Sequence, residues 1–260
     1  RKITLQQINE LGEALYLGVE SNQRSAKITR TDQLYVGGSL GLSLNGNLAA
    51  MDGKLAIWDG GNVFATHQEF GGRVKNQESG SATDLHATHV AGTMVAGGQI
   101  ASARGMAFGA SLKSWDYNND NAEISSASPN LLISNHSYGY QAGWVFDSTK
   151  NKWQWWGNDA ISNLEDYKFG YYDSNAQALD KIAFNAPYYL ITKSAGNSRS
   201  ENGPDFTKGE YYLLKNTKDS SNVVRAKNDG YDIISTTGTA KNILTVGAIE
   251  SINQAPNLAS

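Results

Sequence analysis

Short continuous runs of apolar side chains recur along the chain, each closed by glycine or small polar residues. Leu55-Ala56-Ile57-Trp58 ends in Asp59-Gly60-Gly61, Leu131-Leu132-Ile133-Ser134 ends in Asn135-His136-Ser137-Tyr138-Gly139, and Tyr188-Tyr189-Leu190-Ile191-Thr192 ends in Ser194-Ala195-Gly196-Asn197. Runs that do not alternate with polar positions predict strands buried on both faces of a parallel sheet. Residues 107–115 and 243–249 predict two more such strands. Between them, His86-Ala87-Thr88-His89-Val90-Ala91-Gly92-Thr93 opens with a histidine and predicts a buried helix. Its small residues allow close approach to a sheet, and Gly97-Gly98 would stop it. Residues 123–128 predict another helix. Residues 173–185 predict a third, with Ala176, Leu179, Ile182 and Ala183 on one face, Asp173 or Ser174 as cap and Pro187 as stop. Strands alternating with helices predict an α/β fold, a three-layer sandwich whose mostly parallel sheet carries helices on both faces.

Other stretches are less regular. Ile3, Leu5, Ile8, Leu11, Leu15 and Leu17 suggest an amphipathic helix over 3–18, interrupted near Gly12. Residues 37–53 read as loop, with turn signals at Asn45-Gly46 and Asp52-Gly53. Residues 141–172 form an aromatic insertion carrying Trp144, Trp153, Trp155 and Trp156, with a hairpin tip at Lys150-Asn151. Its tryptophans either grip a substrate or pack on one another and on the domain surface. Residues 199–231 are polar with charges of both signs and read as a surface excursion. There is no internal repeat.

Composition narrows the chemistry. The 260 residues carry a net charge of −3 and no basic run, so nucleic acid is not an expected partner. The absence of cysteine excludes a disulfide scaffold, a thiolate zinc site and a cysteine nucleophile. No apolar run is long enough to span a bilayer, and nothing implies an oligomer. The first residues are Arg1-Lys2 without a methionine, as in a processed or trimmed chain.

Three predicted strands deliver Asp59, the Ser137 region and Asn197 to one edge of one sheet, with His86 opening a helix nearby. An aspartate can hold the Nδ1 hydrogen of a histidine, so that Nε2 takes a proton from a nucleophile. An asparagine amide can donate to an oxyanion. Neighbouring glycines let a peptide backbone approach. These are parts for acyl transfer.

The blocks around Asp59, His86 and Asn197 resemble motifs of the subtilisin-like serine peptidases, the subtilases. Asn135 to Gly139 is similar to that family's cleft segment, Gly105-Met106-Ala107 to its turn before a core strand, and Thr245-Val246-Gly247-Ala248 to a late core strand. The resemblance implies a serine endopeptidase acting on polypeptides, with Asp59 orienting His86, His86 as general base and acid, and Asn197 in the oxyanion hole. It implies that Ser137, Tyr138 and Gly139, with Ser194, Ala195 and Gly196, form two walls of the pocket for the residue before the scissile bond. It also implies a secreted or periplasmic location. Residues 51–260 would be a partial catalytic domain lacking its C-terminal part, and residues 1–50 an N-terminal extension or propeptide remnant.

The match departs from the family pattern in three places. Gly60 follows the aspartate where the family has Ser or Thr, and Ala87 follows the histidine where it has Gly. The nucleophile block of the Gly-Thr-Ser-Met-Ala type has no counterpart in the 260 residues, so the serine is expected downstream of residue 260 and this piece alone is expected to be inactive. The alternative is a catalytically inactive peptide-binding module. A zinc hydrolase using His86, His89 and His67 or Asp84 lacks the His-Glu-x-x-His spacing, and a carbohydrate-binding domain would have to rest on the tryptophans. No metal site is assigned and no cofactor is required. Calcium occurs in several subtilases, and although the residues after Gly97 offer no carboxylate-rich loop for it, the resemblance keeps calcium possible, with no residues assigned.

Overall fold

The predicted runs pair, with one further strand at Val74–Asn76, into a six-stranded sheet, but only Leu55–Asp59 is buried at successive positions. Burial alternates along Leu112–Asp116, Ile133–His136 and Leu190–Ser194, and Leu244 and Val246 of the last strand are half exposed, so these are not the doubly buried strands expected. The computed structural model describes residues 3–8, 14–18, 22–215, 219–228 and 233–249. In chain order the strands and helices are β1 (Ile3–Ile8), β2 (Ala14–Gly18), α1 (Asn22–Ile28), β3 (Leu55–Asp59), β4 (Val74–Asn76), α2 (Leu85–Val95), β5 (Leu112–Asp116) and α3 (Asp120–Ala127). There follow β6 (Ile133–His136), β7 (Trp144–Asp147), β8 (Lys152–Trp155), α4 (Ser174–Asn185), β9 (Leu190–Ser194), β10 (Tyr212–Leu214), β11 (Ser220–Ser221) and β12 (Leu244–Val246). The larger sheet has the order β12-β9-β6-β3-β5-β4 and a smaller one the order β11-β10-β8-β7. Pairs β4–β5, β6–β9 and β9–β12 are parallel, so the α/β expectation of a mostly parallel sheet with helices holds. The chain divides into two units, one of Arg1–Leu55, Asn62–Ser114 and Ile249–Ser260, the other of Ala56–Gly61 and Trp115–Ala248.

In the second unit, Ala56 and Trp58 of β3 and Ile191 of β9 share a core with Ile124 of α3 and Ala176, Leu179 and Ile182 of α4. Ile57, on the opposite face of β3, is equally buried, as a run apolar at every position requires. Asp173 caps α4, its Oδ1 accepting from the N–H groups of Asn175 and Ala176 at 3.0 and 2.9 Å. Strands β6 and β9 begin two residues later than the apolar runs suggest. Leu131 still terminates a short helical turn over Ser128–Asn130, and Tyr188 is fully turned to solvent at 87% exposure. The delay places Asn135, His136 and Ser194 within strands rather than after them.

The aromatic insertion packs on itself. Strands β7 and β8 form the expected antiparallel hairpin, with Asn151 at its tip in a left-handed conformation of φ 51°. Trp144 and Trp155 are buried with Tyr212, the Trp144 ring meeting those two at 4.9 and 4.7 Å. Trp144 Nε1 donates to the Ala226 carbonyl at 2.8 Å. Buried this way, the pair is not a substrate grip, while Trp153 and Trp156 are half-buried.

Residues 199–231 are more than a surface excursion. Strand β10 pairs parallel with β8, and Arg225, buried although charged, lies over the Trp155 ring at 5.0 Å and pairs with Asp159 at 2.5 Å. The strands involved are too short to show periodicity in sequence.

In the first unit, residues 3–8 and 14–18 form strands and not the expected helix, whose remaining positions lie outside the described residues. β1 and β2 pair antiparallel, Ile3 opposite Gly18 and Ile8 opposite Ala14, with an irregularity between Leu5 and Gln7. Ile3 with Leu5 and Leu15 with Leu17 also fit a two-residue period, and Ile3, Thr4 and Ile8 are β-branched. A partner strand decided between the two periods.

Candidate active site

In the second unit, β3 delivers Asp59 at its carboxyl end, 2% exposed, with Oδ1 accepting from the Gly60 N–H at 2.8 Å. The preceding residue holds that strand end in place. Trp58 stacks on Trp115 at 4.4 Å and on His136 at 5.2 Å, and its Nε1 donates to Glu123 at 3.0 Å.

In the first unit, α2 is buried along Ala87, Ala91 and Val95, a stripe of four-residue spacing, while His86 and His89 are exposed. The helix is therefore buried on one face and not throughout. It begins at Leu85, one residue before His86, because Asp84 is its cap: Asp84 Oδ1 accepts from the Ala87 N–H at 2.7 Å. Thr88 reinforces the start, donating to the Asp84 carbonyl at 2.7 Å and accepting from the Phe64 N–H at 2.9 Å. The cap sets which residues occupy the first turn, and so fixes His86 at the helix mouth.

His67 and His89 line a cavity of about 430 Å³ in this unit together with Glu69. The Glu69 carboxylate is engaged by the loop after α2. Its Oε2 accepts from the N–H groups of Gly98 and Gln99 at 2.6 and 3.0 Å, and its Oε1 from that of Ile100 at 2.8 Å. Burial raises the affinity of this carboxyl for a proton, but the three backbone donors outweigh burial and hold its pKa below the ordinary glutamate value. Glu69→Ala is expected to cost about 2 kcal/mol, as donors of the loop lose a charged acceptor. Amide exchange at Gly98, Gln99 and Ile100 should then quicken, and unchanged exchange would refute the tether. Because the folded pKa is depressed, the stabilisation is present above the unfolded value and drains away as pH falls through the folded one. The stability of Glu69→Ala and of the parent should converge in acid.

The cleft segments meet in the second unit. Ser137, Tyr138 and Gly139 on one side and Ser194, Ala195, Gly196 and Asn197 on the other line one cavity of about 320 Å³. Gly196 has φ +102°, a conformation that side-chain-bearing residues avoid, and among the described residues no atom beyond its chain neighbours lies within 4 Å of where a Cβ would be. The wall is thus open to an approaching backbone. Asn197 is exposed, and its side chain makes no cap bond to the short helical turn Ser198–Ser200 that it precedes. Its amide is oriented by no local helix bond.

Behind the first wall runs a chain of buried polar groups. Tyr138 Oη donates to Asp120 Oδ2 at 2.7 Å, so it accepts from His136 Nδ1 at 3.0 Å. His136 Nε2 is then the acceptor for Ser134 Oγ at 2.7 Å, and Ser134 in turn accepts from Tyr189 Oη. Each hydroxyl donates once, which sets the neutral Nδ1–H tautomer of His136. Burial, helped by the charge of Lys193, pushes the His136 pKa down to about 3. Burial and the nearby Asp120 raise that of Tyr138. The wall rests on hydrogen-bonded groups that are neutral at Ser134, His136, Tyr138 and Tyr189 and end on the Asp120 carboxylate.

The sequence profile of the subtilase family matches residues 52–260. The chain belongs to the subtilase family. No curated protein matches it. Among solved structures it is similar to the CspB protease of Clostridium perfringens, with 18% identity and a TM-score of 0.38 over 66% of this chain and 40% of that one. It is also similar to a cold-adapted subtilisin-like serine proteinase, with 19% identity and a TM-score of 0.35 over 75% of this chain and 73% of the other. The chain therefore spans less than half the length of the first of these relatives.

Sequence reasoning about this subtilase missed Asp84 as cap, Asp120 and His136 as supports of the wall, and Lys193 beneath the cleft. The signal for the last was present: a lysine between Ile191 and Ser194 interrupts a strand otherwise read as buried. It is 4% exposed.

Proposed function

We propose that the protein is a secreted or periplasmic serine endopeptidase that binds extended polypeptides along residues 137–139 and cleaves them by an Asp-His-Ser triad. Asp59 orients His86 and stabilises its imidazolium, His86 takes the proton of the nucleophile and returns it to the leaving amine, and the Asn197 amide donates to the oxyanion. The reading expects the serine on sequence downstream of residue 260 and calls on no cofactor. Calcium would serve only as a structural ligand and has no residues assigned.

The observation that carries the proposal is the meeting of the two walls and Asn197 around one cavity in a subtilase, with Gly196 leaving that wall open. Residues 137–139, running on from β6, offer backbone groups that an extended peptide can pair with as an added strand. Among the described residues no helix is long and apolar enough to cross a membrane.

The test is to react the whole gene product with a fluorophosphonate probe and to map the adduct by peptide mass spectrometry. A serine adduct downstream of residue 260 supports the triad. Absence of an adduct on folded protein would leave the cleft as a peptide-binding module. Asn197→Ala should lower kcat by about 10²–10³-fold with little change in KM, a magnitude known for subtilisin and carried over to this relative. A rise in KM alone would place Asn197 in substrate binding instead.

A further inference from the structure

Lys193 lies opposite His136 in the parallel register of β6 and β9, immediately before the Ser194 wall. Its side chain crosses to the other wall, where the ammonium donates to the Tyr138 carbonyl and sits 4.4 Å from the centre of the Tyr138 ring. The charged and titratable groups around it are Asp120 of α3 and His136 and Tyr138 of the β6 segment. Tyr117 meets the Tyr138 ring at 5.3 Å, and the charge of Asp59 also acts on Tyr138. Burying a lysine in a parallel strand is costly, and an apolar residue of equal volume would avoid the cost. What the lysine supplies instead is direction, a charge-assisted bond and a cation–π contact aimed at one carbonyl.

That carbonyl belongs to the middle residue of the substrate-pairing segment. In an extended chain successive carbonyls point to opposite sides, so a segment paired with a peptide through Ser137 and Gly139 would leave the Tyr138 carbonyl to Lys193. We propose that Lys193 is a positioning residue that pins the wall of residues 137–139 to the wall of residues 194–197 and holds the cleft at the spacing an extended peptide requires. The inference rests on the reading of these walls as a peptide cleft. Burial lowers the Lys193 pKa to about 8, with Asp120 partly offsetting it. The pin is charged at neutral pH and loses its charge in mild alkali.

The test uses the whole protein carrying His86→Ala, so that a fluorescein-labelled oxidised insulin B chain is bound and not cut. Adding Lys193→Met should weaken binding about tenfold at pH 7, as expected for loss of one charge-assisted bond, and Lys193→Arg should restore most of it. The binding of the Lys193 parent should itself weaken between pH 7 and 9.5 toward that of the Met variant. In the active protein, Lys193→Met should raise KM and leave kcat within about twofold, the pattern of lost binding common to ground and transition states.

Equal binding by the Lys and Met proteins, or a fall in kcat with KM unchanged, overturns the proposal. Should the Met variant not fold, the titration of the parent decides: weakening across pH 8 supports the pin, and pH-independent binding refutes it. If the fluorophosphonate adduct fails to form while the Lys193 effect on binding persists, the peptidase reading falls and the pin stands. If the labelled insulin B chain is not bound at all, the pin falls, and adduct formation decides separately whether the peptidase reading survives.

Discussion

Replacing His86 by alanine in the whole protein is expected to abolish fluorophosphonate labelling and to lower kcat by about 10⁶-fold, the scale known for loss of this base in subtilisin. The reason is chemical. A serine hydroxyl is a weak nucleophile until a base accepts its proton, and the same imidazolium must then protonate the departing amine. Asp84 caps the helix and Ala87, Ala91 and Val95 anchor it, so exposed His86 is held at its mouth with its backbone fixed. Alanine removes the imidazole without disturbing those anchors, and circular dichroism and the unfolding midpoint should match the parent. Labelling of His86→Ala at the parental rate would refute the role assigned to His86.

Trp144→Ala is expected to destabilise the second unit by about 3–5 kcal/mol, read from denaturant unfolding followed by tryptophan fluorescence. The indole is fully buried, meets Trp155, Phe206 and Tyr212, and uses its one donor on the Ala226 carbonyl. Truncation leaves a cavity the size of a ring and an acceptor without its donor. Gly203 shows how closely the ring is enclosed, since a Cβ there would lie 2.5 Å from it. A cost below about 1 kcal/mol would mean that the ring is not the centre of this core.

The tryptophans illustrate what local sequence can carry. The hairpin was legible because Lys150-Asn151 separates two aromatic runs and Asn tolerates the left-handed conformation that the tip adopts. Which side of the hairpin would be covered was not, because the cover includes Tyr212 and a carbonyl at Ala226, distant in sequence and set in a stretch that looks merely polar. A buried Arg225 reads locally as a surface charge. Its burial is sustained by Asp159 and by the Trp155 and Tyr212 rings, which only the folded chain brings around it.

By itself the sequence determined the doubly buried strand β3, the places of β5, β6, β9 and β12, the capped helix α4, the family, and the blocks that hold Asp59, His86 and Asn197. Doubly buried strands demand apolar residues at successive positions, and caps and turns demand particular side chains, so both leave a local imprint. The tertiary structure alone decided the pairing of β1 with β2, the second sheet, the tautomer of His136 and the course of Lys193. Each of these depends on groups brought together from separate stretches: a partner strand, a hydroxyl with one proton to give, a carbonyl on the facing wall. For Lys193, chain chemistry specifies a cation, and packing turns it into a pin.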